Sequence, residues 1–166
     1  MEFNDQPVAK TGMLIRKPVA EVFKSFVDPE VTTRFWFNRA TGGKLEAGKT
    51  VQWHWDIYNA TGNVVVKAIE DNERIEIDWG ADADSMTTVE WAFESRSDDT
   101  TYVGITNSGF TGDGDQIVAA ALDSTGGFAV VILVHRANMG LFSLLLAARE
   151  LSKVSSAPAH SYLSPS

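Results

Sequence analysis

TTVEWAFES, residues 87–95, sets Val89, Trp91 and Phe93 at every second position and puts Thr88, Glu90 and Glu94 between them. Side chains two apart on an extended chain share a face, so the stretch reads as a strand with one greasy and one wet side. The same beat runs through RIEIDWG (74–80), with Ile75, Ile77 and Trp79 on one face, and through VQWHWDIY (51–58), with Val51, Trp53, Trp55 and Ile57. The opposite face carries Gln52, His54, Asp56, Glu76 and Asp78. Two more runs, NVVVKAIE (63–70) and TYVGITNSGF (101–110), complete the set. NATG, DNE, ADADS and SDD separate them, and Asp, Asn and Gly tolerate turn dihedrals or cap their own backbone. Strands at hairpin spacing form an antiparallel meander.

Upstream, AKTGMLIR (9–16) reads as a first strand, and Pro18 suits the first turn of a helix over residues 19–26. Val19, Val22, Phe23 and Phe26 give that helix one buried stripe. Asp28-Pro29 ends it, and a second short helix, about residues 30–35, leads into Phe35-Trp36-Phe37. These three rings cannot all be buried on one side of a regular element, so Phe35 and Trp36 are expected at a cavity rim. The glycines of ATGGKLEAGK (40–49) mark turns. Downstream, Asp113 or Asp115 is expected to cap a helix through Leu122, and Gly126-Gly127 to break or kink it before an apolar segment at 128–151. His135, Arg136 and Asn138 interrupt that segment, and a membrane span needs about 20 consecutive apolar residues. It is therefore read as a helix gripped by the sheet, its surplus apolar surface serving a pocket or a homodimer contact.

This order gives an α+β class, with a curved antiparallel sheet and helices against one face. Residues 1–151 are expected to form a single domain and the Ser/Pro-rich residues 152–166 a flexible tail. Cysteine is absent, which removes disulfides and thiolate metal sites, and the N-terminus carries no secretory pattern, so a cytoplasmic location is expected. A net charge of -8 argues against nucleic acid, whose phosphates need clustered Lys and Arg. No phosphate-binding glycine loop, nucleophile elbow or paired-histidine zinc motif occurs. Neither a cofactor nor a metal is expected.

Taken together, DPE..T.RFW, I.I.WG, TTVEW.FE and GF.GDGD resemble the START-like (SRPBCC) helix-grip superfamily. Within it they are similar to the branch of the C-terminal domain of the heat-shock-protein-90 ATPase activator, over about residues 9–128. The resemblance implies a sheet of about seven strands wrapped round a long C-terminal helix, two short helices after strand 1, and often an apolar ligand cavity. It carries no shared catalytic motif. After Gly127 this chain departs from the branch, running AVVILVHRANMGLFSLLLAAREL where an amphipathic helix with Lys and Glu is usual.

Two constellations compete as a site. His54 and Asp56 share a strand face, but a catalytic zinc needs three protein ligands, and His135 and His160 have no ligand spacing to them. Asp113 and Asp115 make only an incomplete calcium run and serve better as caps. Trp53, Trp55, Trp79, Trp91 and Phe93 form the larger group, and with Phe128 of the helix they either line a cavity or fill the core; His54 is a rim position. The expected function is binding of an apolar small molecule. The alternatives are a chaperone accessory with a role in stress response, or a cyclase- or hydrolase-type enzyme using an inward Arg34, His54, Tyr58 or Tyr102.

Overall fold

The computed structural model describes residues 6–155. Seven strands form one antiparallel sheet: β1 Ala9–Ile15, β2 Arg39–Thr41, β3 Thr50–Trp55, β4 Ala60–Glu70, β5 Arg74–Gly80, β6 Thr87–Ser97 and β7 Thr100–Ser108. Their order across the sheet is β1-β7-β6-β5-β4-β3-β2. Every step from β3 to β7 is thus a hairpin, as the turn spacing predicts, and the first strand closes on the last. Helices α1 (Val19–Val27) and α2 (Pro29–Thr32) follow β1, and α3 (Gly114–Ser155) packs against the apolar side of the sheet through Ala121, Phe128, Ile132 and Met139. The α+β order expected from the alternation is present, with the helix-grip arrangement that the resemblance implies.

Register confirms the two faces. Ile75 pairs with Trp91 and Ile77 with Val89, Trp91 with Ile105 and Phe93 with Val103, and all seven side chains are buried. On the other face Arg74 bridges Glu70, Glu76 and Glu90 across three strands, and Lys67 pairs with Asp78 at 3.0 Å. The wet face is acidic but internally compensated.

Four local expectations are corrected. β3 ends at Trp55, because residues Asp56–Tyr58 wind into a 3-10 turn; Ile57 consequently leaves the apolar row and stands 83% exposed. Asn59 then takes φ 47°, a turn conformation asparagine tolerates. α2 is shorter than expected, and β2 forms inside the stretch read as turns, pairing Ala40 with Trp53. The irregular backbone between them lets Phe35 and Phe37 both be buried while Trp36 packs partly against the same core. Finally, α3 runs through Gly126-Gly127 without a break.

The α3 cap is the expected one. Asp113 Oδ1 accepts from the backbone N–H of Asp115 at 3.1 Å and Gln116 at 2.9 Å, and the Gln116 side chain accepts from Asp113 N–H at 2.9 Å. This reciprocal box satisfies donors that the first helical turn leaves orphaned. From there one stripe enters the core: Ala121, Phe128, Ile132, His135 and Met139 are buried. The outward side stays apolar, with Leu122, Leu133 and Val134 exposed. By length and composition Gly114–Gly140 is apolar enough to cross a membrane, and 17% of its apolar window is buried; Phe128 and Ile132 pack into the core. Of the expected tail, residues 156–166 lie outside the described residues.

Candidate functional site: an aromatic cleft under the long helix

Antiparallel pairing brings the ends of β3, β5 and β7 and the starts of β4 and β6 to one end of the sheet. There Trp55, Gly62, Trp79, Thr87 and Asn107 face Ser124, Gly127, Phe128 and Val131 of α3 across an open cleft of about 940 Å³. Phe35 and Trp36, delivered by the turn after α2, close its inner end.

The rings touch one another. Trp79 lies 6.1 Å from Trp55, 6.0 Å from Trp36 and 5.7 Å from Phe128 between centroids, and Trp36 lies 5.9 Å from Phe128. Trp36, Trp55 and Trp79 are only half-buried. Edge and tilted contacts of this kind suit the ring quadrupoles. Two glycines make the shape. A Cβ at Gly62 would stand 3.2 Å from the Trp55 ring, so its absence gives that indole room over the strand. A Cβ at Gly80 would meet the Ser85 carbonyl oxygen at 2.8 Å, which holds the β5–β6 loop close against the strand end.

Opposite the tryptophans the lining turns polar. Thr101, Val103, Ile105 and Asn107 form the inward row of β7. Asn107 is 2% exposed, its Nδ2 donates to Ser124 Oγ at 2.9 Å, and its Oδ1 has no partner. The titratable groups of the lining are Tyr58 and Asp123, both exposed.

Of the residues singled out in the sequence, Trp55, Trp79, Phe128, Phe35 and Trp36 line this cleft, whereas Trp53, Trp91 and Phe93 do not. Trp53 stacks on Phe37 at 4.8 Å and 17°, and Phe93 packs edge-on against Phe23 and Phe26 at 5.2 and 5.6 Å. Trp91 is 1% exposed between Phe26 and Phe128. His54 lies on the other face of β3, its Nδ1 3.0 Å from Thr61 Oγ1, and is not part of the lining. Tyr58 reaches the cleft; Arg34 and Tyr102 do not. Tyr102 instead lies over Gly12, where its hydroxyl fills the space a Cβ would take, with Arg96 5.4 Å above its ring. Among the described residues no three His, Asp or Glu side chains gather as a metal site.

A second polar feature lies deeper. His135 is fully buried between Phe26 and Phe35, at 4.7 and 4.5 Å. The Ser25 hydroxyl donates to the Val22 carbonyl at 2.5 Å, so His135 Nε2 carries the ring proton and donates to Ser25 Oγ at 2.6 Å. Nδ1 is left buried without a partner. Burial alone drives this imidazole down to a pKa of about 4. The pair ties α1 to α3; it is not itself in the cleft lining, although His135 packs against Phe35, which is.

A sheet wrapped round one long helix, with an aromatic cleft at the open end, defines a helix-grip domain. The chain belongs to the family described as Activator of Hsp90 ATPase homolog 1-like protein, which it matches over residues 16–126. No curated protein matches it. Among solved structures, a Staphylococcus saprophyticus protein is similar at 28% identity and a TM-score of 0.67, covering 80% of this chain and 91% of that one. The Aha1 dimer from Colwellia psychrerythraea is similar at 15% identity and TM-score 0.66, covering 80% and 95%. An HSP90 activator from Plasmodium falciparum is similar at 14% identity and TM-score 0.64, covering 81% and 96%. At such identities the last two likenesses speak for the fold alone.

Proposed function

We propose that this chain is a small-molecule binding domain whose cleft holds an apolar, ring-containing ligand against Trp36, Trp55, Trp79 and Phe128. The observation that carries the reading is a cavity of about 940 Å³ in which Trp36 and Trp55, each in ring contact with Trp79, stay half-buried together with it. Large aromatic surface left partly wet costs hydrophobic free energy, of the order of 25 cal/mol per Å², which an apolar occupant recovers. Concave, mostly apolar sites with a few oriented polar groups are the usual form of ligand pockets. An enzymatic role in the same cleft is less well supported, since its titratable groups sit at the exposed rim. A chaperone-accessory role has the family description and one relative's name in its favour, but no feature of the cleft calls for a protein partner.

Native mass spectrometry of protein purified without detergent, together with quenching of tryptophan fluorescence by naphthalene-sized probes, tests this. Quenching that saturates, and that Trp79→Ala abolishes while the fold survives by circular dichroism, is the expected result. Absence of saturable quenching and of any copurified mass would overturn it.

A second reading concerns assembly. Leu122 and Leu133 are 69% and 55% exposed on α3 away from the cleft lining, and a second copy of this helix would cover them. Light scattering should give a dimer that Leu133→Glu dissociates; a monomeric wild type at high micromolar concentration would refute it.

A further inference from the structure

Resting on the cleft as a ligand site, we propose that Asn107 and Ser124 form its hydrogen-bonding subsite, and that the ligand is an aromatic molecule bearing a hydroxyl group there. Three observations converge. Asn107 ends the inward row of β7, where the preceding positions Val103 and Ile105 are apolar and buried. A leucine or valine would continue that row, so a buried amide at the edge of the cavity calls for a polar counterpart. Its Nδ2 is used by Ser124 Oγ at 2.9 Å, yet Oδ1 has no partner. A buried carbonyl oxygen left unpaired is costly, and few such atoms persist in folded proteins.

The hydrogen-bonding inventory selects the class of ligand group. Asn107 Oδ1 only accepts, while the Ser124 hydroxyl, already accepting from Asn107, keeps a hydrogen to donate. A group that donates to the first and accepts from the second satisfies both, and a ligand hydroxyl does so with a single atom. A carboxylate cannot donate to Oδ1, and an ammonium cannot accept from the serine. The rest of the lining reinforces this: Trp55, Trp79 and Phe128 offer ring faces, and Thr87 and Ser124 extend the polar edge. The recognised molecule is therefore flat and apolar along most of its length, with a phenol-type hydroxyl at the end under β7.

A matched pair of probes tests the assignment on the full chain: 2-naphthol and 2-methylnaphthalene, which differ by a hydroxyl against a methyl group, with binding followed by equilibrium dialysis. Asn107→Leu should weaken 2-naphthol by about tenfold, the usual consequence of losing one buried hydrogen bond, and leave 2-methylnaphthalene unchanged or tighter. Ser124→Ala should shift the same ratio in the same direction. It provides an independent arm if the leucine variant fails to fold by circular dichroism. Binding of both probes with a ratio that neither variant alters would overturn the hydroxyl subsite while leaving the cleft reading intact. Failure of both probes to bind wild-type protein would overturn the two together.

Discussion

Acidification should destabilise this protein through His135 before any carboxylate contributes. The imidazole is fully buried against Phe26 and Phe35, and its pKa falls from the ordinary 6.5 to about 4. Between those values the unfolded chain binds a proton that the folded chain refuses, so stability rises with pH across the window. The contribution is complete above pH 6.5, declines as pH falls towards 4, and changes no further below that. A difference of this size corresponds to roughly 3 kcal/mol, a large part of the 5–15 kcal/mol typical of a domain. Asp28, Asp56, Asp78 and Asp99 have pKa values held below the ordinary carboxylate value by their partners. They release stability only as pH falls through and below about 4, which leaves the upper window to the histidine. Urea denaturation at pH 7.5, 6.5, 5.5 and 4.5 reads the slope directly. His135→Leu provides the control: the Ser25 hydroxyl keeps its bond to Val22, the unpartnered Nδ1 disappears, and the profile above pH 4.5 should lose about 2.5 kcal/mol of its fall. If wild type and His135→Leu lose stability in parallel between pH 6.5 and 4.5, the assignment of that window to His135 is wrong.

Two further substitutions probe α3. Asp113→Ala removes both side-chain bonds to the first turn and should cost about 1 kcal/mol, seen as a lower urea midpoint with an unchanged m-value. Gly127 lines the cleft, and a Cβ there would meet nothing within 4 Å. Gly127→Ala should therefore stabilise the helix by about 1 kcal/mol, while Gly127→Trp fills the opening and weakens 2-naphthol in equilibrium dialysis; unchanged binding would show that α3 does not wall the cleft at this point.

Much of the sheet was legible because its alternation is strict: a one-residue slip would turn Trp91 and Ile77 out to solvent, so the pattern fixes both the faces and the hairpin order. β2 was not legible, since three residues, Arg39–Thr41, beside two glycines carry no period of their own and are ordered by pairing with β3. Gly126-Gly127 misled for an energetic reason. Two glycines cost a helix about 2 kcal/mol together, but the turns that follow bury Phe128 and Ile132, each worth roughly 1.5–3 kcal/mol, so continuing outweighs breaking. His135 was visible only as an interruption in an apolar run, because the serine that satisfies it lies 110 residues away.

The site divides along the same line. Alternation assigned Trp53, Trp55, Trp79 and Trp91 to one face, but a face has a middle and an end, and only position along the strand decides between core and cleft. Trp53 and Trp91 lie under Phe37 and Phe26, which the turn after α2 and helix α1 respectively lay against the sheet, whereas Trp55 and Trp79 come at the strand ends and stay half-buried. Asn107 obeys the same rule on β7: it is the inward residue nearest the strand end. A polar residue at the last inward position of a strand, as Asn107 is after Val103 and Ile105, is thus a usable sequence signal for a cavity edge, whereas Thr101 at the other end of the row is accounted for by its bond to the Lys17 carbonyl. In this chain that signal and the two terminal tryptophans lead to one cleft from opposite sides, and the proposed ligand, with one polar end and a flat apolar body, follows from that pairing.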